Sequence, residues 1–533
     1  MSLRDLVAEY RAQEQRIRLG GGREAIDRQH QKGRKTARER IEILLDENAP
    51  GLEVGLWAAH EMYEEWGGAP SAGVITQIGT VHGRRVMVVA NDATVKAGAC
   101  FPLTIKKILR AQAIAAANHL PLIYLVDSSG VFLPMQDEVF PDEDDFGRIF
   151  RNNAVLSAQG IPQFAAIMGN CVAGGAYLPV LCDTVLMTEG SGLYLAGPSL
   201  VKAAIGQEID HESLGGARVH AALSGTIDYR ERDDESCLAR LRRLIGLLPP
   251  DPDPPAGGVA VEPPTRPTTD LYDIVQASAT GQYDVRDVLM CLVDGGRFDE
   301  YRSEYGKTLV CGFGRMGGMA LGIVANQRLR FRLEGDGPYQ FGGVIYADSA
   351  DKAARFVLEC NQGRIPILFL QDVNGFDVGR DAERSGIIRR GAKLVNAVSN
   401  CTVPKLTLIL GHSFGAGHYA LCGRAFDPRF LFAWPGARYA VMGGQQAAKT
   451  MLEVNLANLR RQGRQVEPVE LDALATELRQ RYDRETDIRY AAARLWVDAI
   501  IDPATTRDVL ILALDLATRR RPVSPLTTGV FQV

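Results

Sequence analysis

The chain of 533 residues has no run of 18 apolar residues, so a membrane-spanning helix is not expected. Its opening, Met1-Ser-Leu-Arg-Asp-Leu, is polar and charged where a secretory leader needs an apolar stretch, and the expected location is the cytoplasm. There is no surplus of basic groups either. A net charge of −4 gives no electrostatic reason for binding nucleic acid or an anionic membrane. Nine cysteines, an odd number with no Cys-x-x-Cys, read as reduced and mostly buried thiols rather than a disulfide framework. Eight histidines occur without His-x-x-x-His or His-Glu-x-x-His spacing, so no metal site is expected. Also missing are Gly-x-x-x-x-Gly-Lys-Ser/Thr and, after the first strand, Gly-x-Gly-x-x-Gly, which removes the usual phosphate cradles.

What the sequence does have is a repeat. His119-Leu-Pro-Leu-Ile-Tyr-Leu-Val-Asp-Ser-Ser-Gly130 is echoed by Arg364-Ile-Pro-Ile-Leu-Phe-Leu-Gln-Asp-Val-Asn-Gly375, and Ile161-Pro-Gln-Phe-Ala-Ala-Ile-Met-Gly169 by Val403-Pro-Lys-Leu-Thr-Leu-Ile-Leu-Gly411. Val88-Val-Ala-Asn91 pairs with Ile323-Val-Ala-Asn326. The second echo is followed in both copies by a Gly-rich turn, Ala173-Gly-Gly-Ala-Tyr177 and Gly415-Ala-Gly-His-Tyr419, 242 residues apart like the runs that lead into them. One α/β unit was duplicated and both copies kept the turn. The length suits two domains, and 46% apolar with 23% charged residues describes a globular chain.

The expected organisation is residues 1–248, a linker at 249–269 holding eight prolines, and residues 270–533. Helical spacing predicts two helices before residue 45, separated by a flexible break at Gly20-Gly-Gly22. It also predicts an amphipathic helix over Thr104–Asn118, a buried strand over Leu122–Val126 and a charged helix over 448–481.

Each turn sits between a strand and a segment that could be helical. Free backbone N–H groups at such a place favour negative charge and can hold an enolate or a tetrahedral oxyanion, and glycine lets the oxygen approach. Packing alone could account for one Gly-Gly pair, but two in register favour a pair of oxyanion sites. Ser128, Ser129 and Gly130 end one strand, where α/β proteins place ligand groups. With no Gly-x-Ser-x-Gly around them, the serines read as turn formers that shape the site. Lys96, Lys106, Lys107 and Arg110 could meet substrate phosphates, although a solvated helix face accounts for any one of them. The acidic run from Asp137 to Asp145 reads as an exposed lid.

These motifs, with Gly33-Arg-Lys-Thr-Ala-Arg-Glu-Arg-Ile41, Ala90-Asn-Asp-Ala-Thr-Val-Lys96, Gln136-Asp-Glu-Val-Phe-Pro141, Phe146-Gly-Arg-Ile-Phe150, Gly391-Ala-Lys-Leu-Val395, Trp434-Pro435, Ala440-Val-Met-Gly-Gly444 and Ala493-Arg-Leu-Trp-Val-Asp-Ala-Ile-Ile-Asp-Pro503, resemble the carboxyltransferase β subunits of biotin-dependent acyl-CoA carboxylases over nearly the whole chain. The first-half motifs are most similar to 3-methylcrotonyl-CoA carboxylase, with the geranyl-CoA and propionyl-CoA enzymes as alternatives. The resemblance implies an α/β fold of two tandem crotonase-like domains of ββα superhelix type. Acyl-CoA would bind the first domain and biotin the second, usually across a dimer interface in a homo-hexamer built as a trimer of dimers. It implies that Gly174 and Gly175 hold the thioester enolate oxygen and that Ala416 and Gly417, with Phe414 and Gly415, hold the biotin ureido oxygen. Ser128, Ser129, Gly130, Arg151 and Tyr419 would contact the acyl-CoA. Because no Met-Lys-Met motif is present, biotin would be carried by a partner α subunit that joins biotin carboxylase and carboxyl carrier functions.

Three features depart from the methylcrotonyl pattern. Arg151 stands where that type has an aromatic residue, and Ser129 replaces a glycine. Asp372–Gly379 with the Phe331–Tyr346 stretch resembles the α subunit of glutaconyl-CoA decarboxylase, which implies the reverse reaction as another possibility. A single-site crotonase-like hydratase or hydrolase ranks below these, since it would leave the second copy without a purpose.

Overall fold

The computed structural model describes residues 2–249, 260–275, 281–332, 337–443 and 468–519. Two compact units emerge. One is Arg11–Asp253 with Ala493–Leu495, and the other is Met1–Tyr10, Pro254–Ala492 and Trp496–Val533.

In the first unit, β-branched and apolar runs buried on both faces make an eight-stranded sheet. Its strands are β1 (Leu52–Val54), β2 (Val74–Val81), β3 (Arg84–Asn91), β4 (Leu122–Ser128), β5 (Gln163–Val172), β6 (Thr184–Thr188), β7 (Gly192–Tyr194) and β8 (Tyr229–Glu231). The order is β1-β2-β3-β4-β5-β6-β8, with β7 beside the far end of β5. Pairing is antiparallel up to β3 and parallel beyond it. The helix Pro102–Asn118 connects β3 to β4, and Phe146–Ala158 connects β4 to β5.

The second unit contains β9 (Phe298–Tyr301), β10 (Leu309–Met316), β11 (Met319–Asn326), the short β12 (Phe331–Arg332), β13 (Tyr339–Gln340) and β14 (Val344–Ile345), then β15 (Ile367–Val373), β16 (Gly375–Phe376), β17 (Lys405–Phe414), β18 (Phe430–Ala433), β19 (Arg438–Ala440) and β20 (Ala499–Ile500). Its eight-stranded sheet runs β9-β10-β11-β15-β17-β18-β20, with β19 beside β17. Strand for strand this is the order and direction of the first sheet. Helices Ala347–Gln362 and Ile387–Asn400 occupy the places of the two connecting helices.

The repeat extends to single atoms. Phe101 N donates to Thr104 Oγ1 at 2.9 Å to start one connecting helix, and Tyr346 N donates to Ser349 Oγ at 2.9 Å to start its counterpart. Register shifts fall at Val126/Ser128 in one sheet and at Gln371/Val373 in the other. These irregularities turn Asp127 and Asp372 sideways, so that their carboxylates fill the space a Cβ would need at Gly169 and Gly411.

Some expectations change. Three helices, Leu3–Arg18, Arg23–Gln31 and Ala37–Leu44, replace the two expected near the start, because Thr36 and Glu39 form a capping box that opens a third. The glycines of the first break are a close approach rather than a flexible joint: a Cβ on Gly21 would lie 1.9 Å from Thr94 O. The helix expected from Thr104 begins at Pro102, and the strand expected to end at Val126 reaches Ser128. In the proline-rich stretch, Gly295 N donates to Pro263 O at 3.0 Å and Arg507 Nη2 to Glu262 O at 3.0 Å, so residues 260–269 are held by hydrogen bonds. The charged C-terminal helix spans Pro468–Glu485, while 448–467 lies outside the described residues. No described helix is long and apolar enough to cross a membrane.

Candidate active site

At the end of β5 the chain enters a tight turn, Ala173–Ala176, and then the short helix Tyr177–Val180. At the end of β17 it enters the helix Gly415–Ala420 directly. Both turns begin with a left-handed residue at the same repeat position, Ala173 at φ 55° and Gly415 at φ 58°. Glycine is needed at the second because a Cβ there would lie 2.9 Å from Val441 O. Ala173 holds the same conformation without glycine's freedom, an unfavourable backbone state of the kind functional turns retain.

Gly174 is exposed, and a Cβ built on it meets nothing within 4 Å. Gly175 is half-buried, its virtual Cβ 3.8 Å from Phe146 Cζ. In the second turn Ala416 is exposed, whereas Gly417 is buried and a Cβ would come within 2.6 Å of Val373 Cγ2. Glycine at 417 is thus required by packing, and the open side of that turn is at Ala416. Phe414 is 7% exposed, its ring stacked on His412 at 4.9 Å. The first N–H groups of each turn lack a partner one helical turn back and are available to an anion.

The loops beside the turns are rigidly tied. Ser128 Oγ donates to Gly98 O at 2.6 Å and accepts from Gly130 N at 3.1 Å, so this serine is a turn former, while Ser129 is exposed. Asp127 accepts from Asn170 N at 3.2 Å and pairs with Arg40 at 3.3 Å, and burial pushes its carboxyl above the usual range. Asp372 accepts from His412 N at 2.8 Å and Tyr283 OH at 3.0 Å, with Arg328 at 3.4 Å. Each turn therefore rests on a buried Asp–Arg pair.

Other expected residues fall in different places. Lys107 is 1% exposed and donates to Ser71 O, Ser71 Oγ and Val74 O at 3.0, 2.7 and 2.7 Å. It cannot meet a phosphate, and burial lowers its pKa to about 7 against the opposing charge of Glu53. Lys96 and Lys106 are exposed, and Arg110 is half-buried. Arg151 is exposed on Phe146–Ala158, next to Phe150, whose ring lies 6.3 Å from that of Tyr177. Among the described residues no three His, Cys, Asp or Glu groups gather as metal ligands.

Tyr419 is 51% exposed and stacks on Phe426 at 5.9 Å. Its counterpart, Tyr177, is 52% exposed, and sequence reasoning gave it no role even though both tyrosines end the repeated turn motif. Also missed was the Gly-x-Ser-x-Gly spelled by Gly411 to Gly415. Its Ser413 is fully buried and donates to Gln371 Oε1 at 2.6 Å, with His418 Nδ1 at 2.7 Å, so it has no access to a substrate carbonyl. The pattern does not form a hydrolase elbow. What the geometry offers is two matched sites that can stabilise developing oxygen charge through backbone donors.

Residues 28–528 match the carboxyl transferase domain family. The biotin-dependent 3-methylcrotonyl-coenzyme A carboxylase beta1 subunit of Mycobacterium tuberculosis is 46% identical over 533 residues, covering 99% of this chain and 97% of that one. The mitochondrial methylcrotonoyl-CoA carboxylase beta chain of Arabidopsis thaliana is 44% identical over 540 residues, covering 100% and 89%. Among solved structures, the beta subunit of geranyl-CoA carboxylase from P. aeruginosa superposes with a TM-score of 0.86 at 36% identity, covering 100% of this chain and 96% of that chain. The two sheets are tandem crotonase-like folds, and the chain belongs to the carboxyl transferase family as a carboxyltransferase beta subunit of a biotin-dependent acyl-CoA carboxylase.

Proposed function

We propose that this subunit carboxylates 3-methylcrotonyl-CoA, using biotin carried by a separate α subunit that also supplies the ATP-dependent biotin carboxylase step. The observation that carries the reading is the pair of matched glycine turns, each opening on a left-handed residue at φ 55° or 58° and each bordered by a half-exposed tyrosine. The acyl group is favoured by the 44–46% identity to methylcrotonyl enzymes.

In this mechanism the N–H groups of Gly174 and Gly175 hold the thioester oxygen, whose charge grows as the acyl group loses its acidic proton. The turn Phe414, Gly415, Ala416 and Gly417 holds the ureido oxygen. Carboxylated biotin, when bound, would supply the CO2 that the deprotonated acyl group takes up, and its ureido nitrogen, once free of that CO2, would take the proton. Ser128, Ser129 and Gly130 shape the acyl-CoA side, and Tyr419 walls it against small saturated chains. The protein's own contribution is a set of fixed backbone donors. The exposed Leu195, Leu200 and Ile205 supply apolar surface for a homo-hexamer built as a trimer of dimers, and nine free, buried thiols suit the cytoplasm.

The test is reconstitution with the α subunit, ATP, bicarbonate and a panel of acyl-CoAs. We expect 3-methylcrotonyl-CoA to have the highest kcat/KM. Preference for propionyl-CoA or acetyl-CoA would refute the assignment, and preference for geranyl-CoA would move it to the type of the superposed structure. The exposed Arg151 favours one second reading, a dicarboxylic acyl-CoA decarboxylated in the reverse direction. In that case the wild type would prefer a glutaconyl-type substrate and Arg151→Phe would reverse the order. We expect Arg151→Phe to change the kcat/KM for 3-methylcrotonyl-CoA less than about threefold.

A further inference from the structure

The duplication supplies an internal control for what the fold itself requires. Beneath the first turn, the positions equivalent by sequence offset and strand pairing are Val126, Cys171, Ala176 and Leu193, all buried. Among the described residues, the one polar contact made by these four side chains is the weak one from Cys171 Sγ to Gly175 O at 3.5 Å. Beneath the second turn the same four positions are Gln371, Ser413, His418 and Tyr439. Every one is polar, and they bond to one another.

The atoms fix the direction of this network. Arg424 N–H can only donate, and it reaches His418 Nε2 at 3.2 Å, so that nitrogen is the acceptor and also receives the Tyr439 hydroxyl at 2.7 Å. The proton is then on Nδ1, which donates to Ser413 Oγ at 2.7 Å, while Ser413 donates to Gln371 Oε1 at 2.6 Å. Gln371 Nε2 donates in turn to Leu421 O at 2.7 Å, just past the turn helix. Gln371 and Ser413 are fully buried and His418 is 4% exposed. The network ties β15, β17 and β19 to the turn helix. Burying Gln371, Ser413 and His418, with Tyr439 half-buried beside them, costs free energy that an apolar set would avoid, and the first turn shows that the fold closes with such a set.

We propose that His418, acting through Gln371, Ser413 and Tyr439, is a positioning residue that sets the second turn in the shape that accepts the ureido carbonyl of biotin. The apolar counterpart leaves the first turn to serve the thioester. This rests on the assignment of biotin to the second turn. His418 touches neither reactant and acts only by holding Gly415–Ala420 against the strands.

The deciding variant copies the protein's own alternative: Gln371→Val, Ser413→Cys, His418→Ala and Tyr439→Leu together. Carboxyl transfer from the carboxylated acyl-CoA to free biotin is measured with the purified chain, with KM determined for each reactant. We expect KM for biotin to rise at least tenfold while KM for the acyl-CoA stays within twofold. A folded quadruple variant with unchanged KM for biotin, or with both KM values raised alike, overturns the inference. If the quadruple variant does not fold, Tyr439→Phe decides by the same split, with a threefold or greater rise for biotin alone expected and equal or absent changes refuting it. A wild-type chain that transfers no carboxyl group to biotin refutes the underlying assignment as well, and that result is visible before any variant is made.

Discussion

At Gly174 the protein itself has room for a side chain, since a Cβ there meets nothing within 4 Å. The fold should therefore accept Gly174→Val, while the isopropyl group takes the place of the thioester oxygen. We expect a soluble variant with an unchanged circular dichroism spectrum and turnover reduced at least a hundredfold, on the scale of losing an oxyanion donor; wild-type rates would exclude this turn as the thioester site. His418 offers a second residue-scale test. Burial lowers its pKa from 6.5 to about 4, so below pH 6.5 the unfolded chain takes up a proton that the folded chain refuses. Stability is complete above pH 6.5 and falls as the pH drops toward 4. Denaturant titrations should show a loss of about 2 kcal/mol between pH 7 and pH 5 from this group, and His418→Gln should lack that part of the slope.

At the scale of elements, the connecting helices carry a matched pair with different surroundings. Lys107 and Lys352 occupy the same helix position, each near a Glu–Arg pair, Glu53 with Arg38 at 2.9 Å and Glu300 with Arg286 at 2.8 Å. Lys107 Nζ has three oxygen acceptors, and Lys352 Nζ, buried, has no hydrogen-bond partner among the described residues. Lys107→Met should then cost about 1–3 kcal/mol by stranding those oxygens, and Lys352→Met should raise stability by about 1 kcal/mol. Thermal melts of the two variants that moved in the same direction would contradict this. The strands, turns and duplication were legible because they are written locally, as in Asp127-Ser-Ser-Gly130 and Asp372-Val-Asn-Gly375. Burial of Lys107 was not, since its acceptors come from residues 71 and 74, and a charged helix position ordinarily faces water. The role of Asp127 depends on a sheet irregularity that no spacing announces. The His418 network was invisible for the same reason: its partners lie on strands 47 and 21 residues away in sequence. That packing also requires glycine at 417 was not legible, because it depends on the position of Val373.

For the whole molecule, the proposed function assigns biotin and the ATP-dependent step to a separate subunit. The purified chain alone should fix no bicarbonate with ATP, activity should appear on adding the biotinylated subunit, and avidin should abolish it. Carboxylation by the lone chain, insensitive to avidin, would contradict that division of labour. The two copies also differ in length, most of all early in the repeat. Asn326 follows Asn91 by 235 residues, but Gly343 follows Gly98 by 245, so the second copy carries ten more residues between these landmarks. Both end points do the same job, since Gly98 and Gly343 are left-handed and press against Asp127 O and Asp372 O, where a Cβ would come within 2.1 and 3.0 Å. The short version already closes the fold. That span is thus a natural insertion point, where the duplicated architecture tolerates growth beside the second turn without redrawing the sheet, and where a tag, a sensor or a shortened loop could be spliced with the first copy as its template.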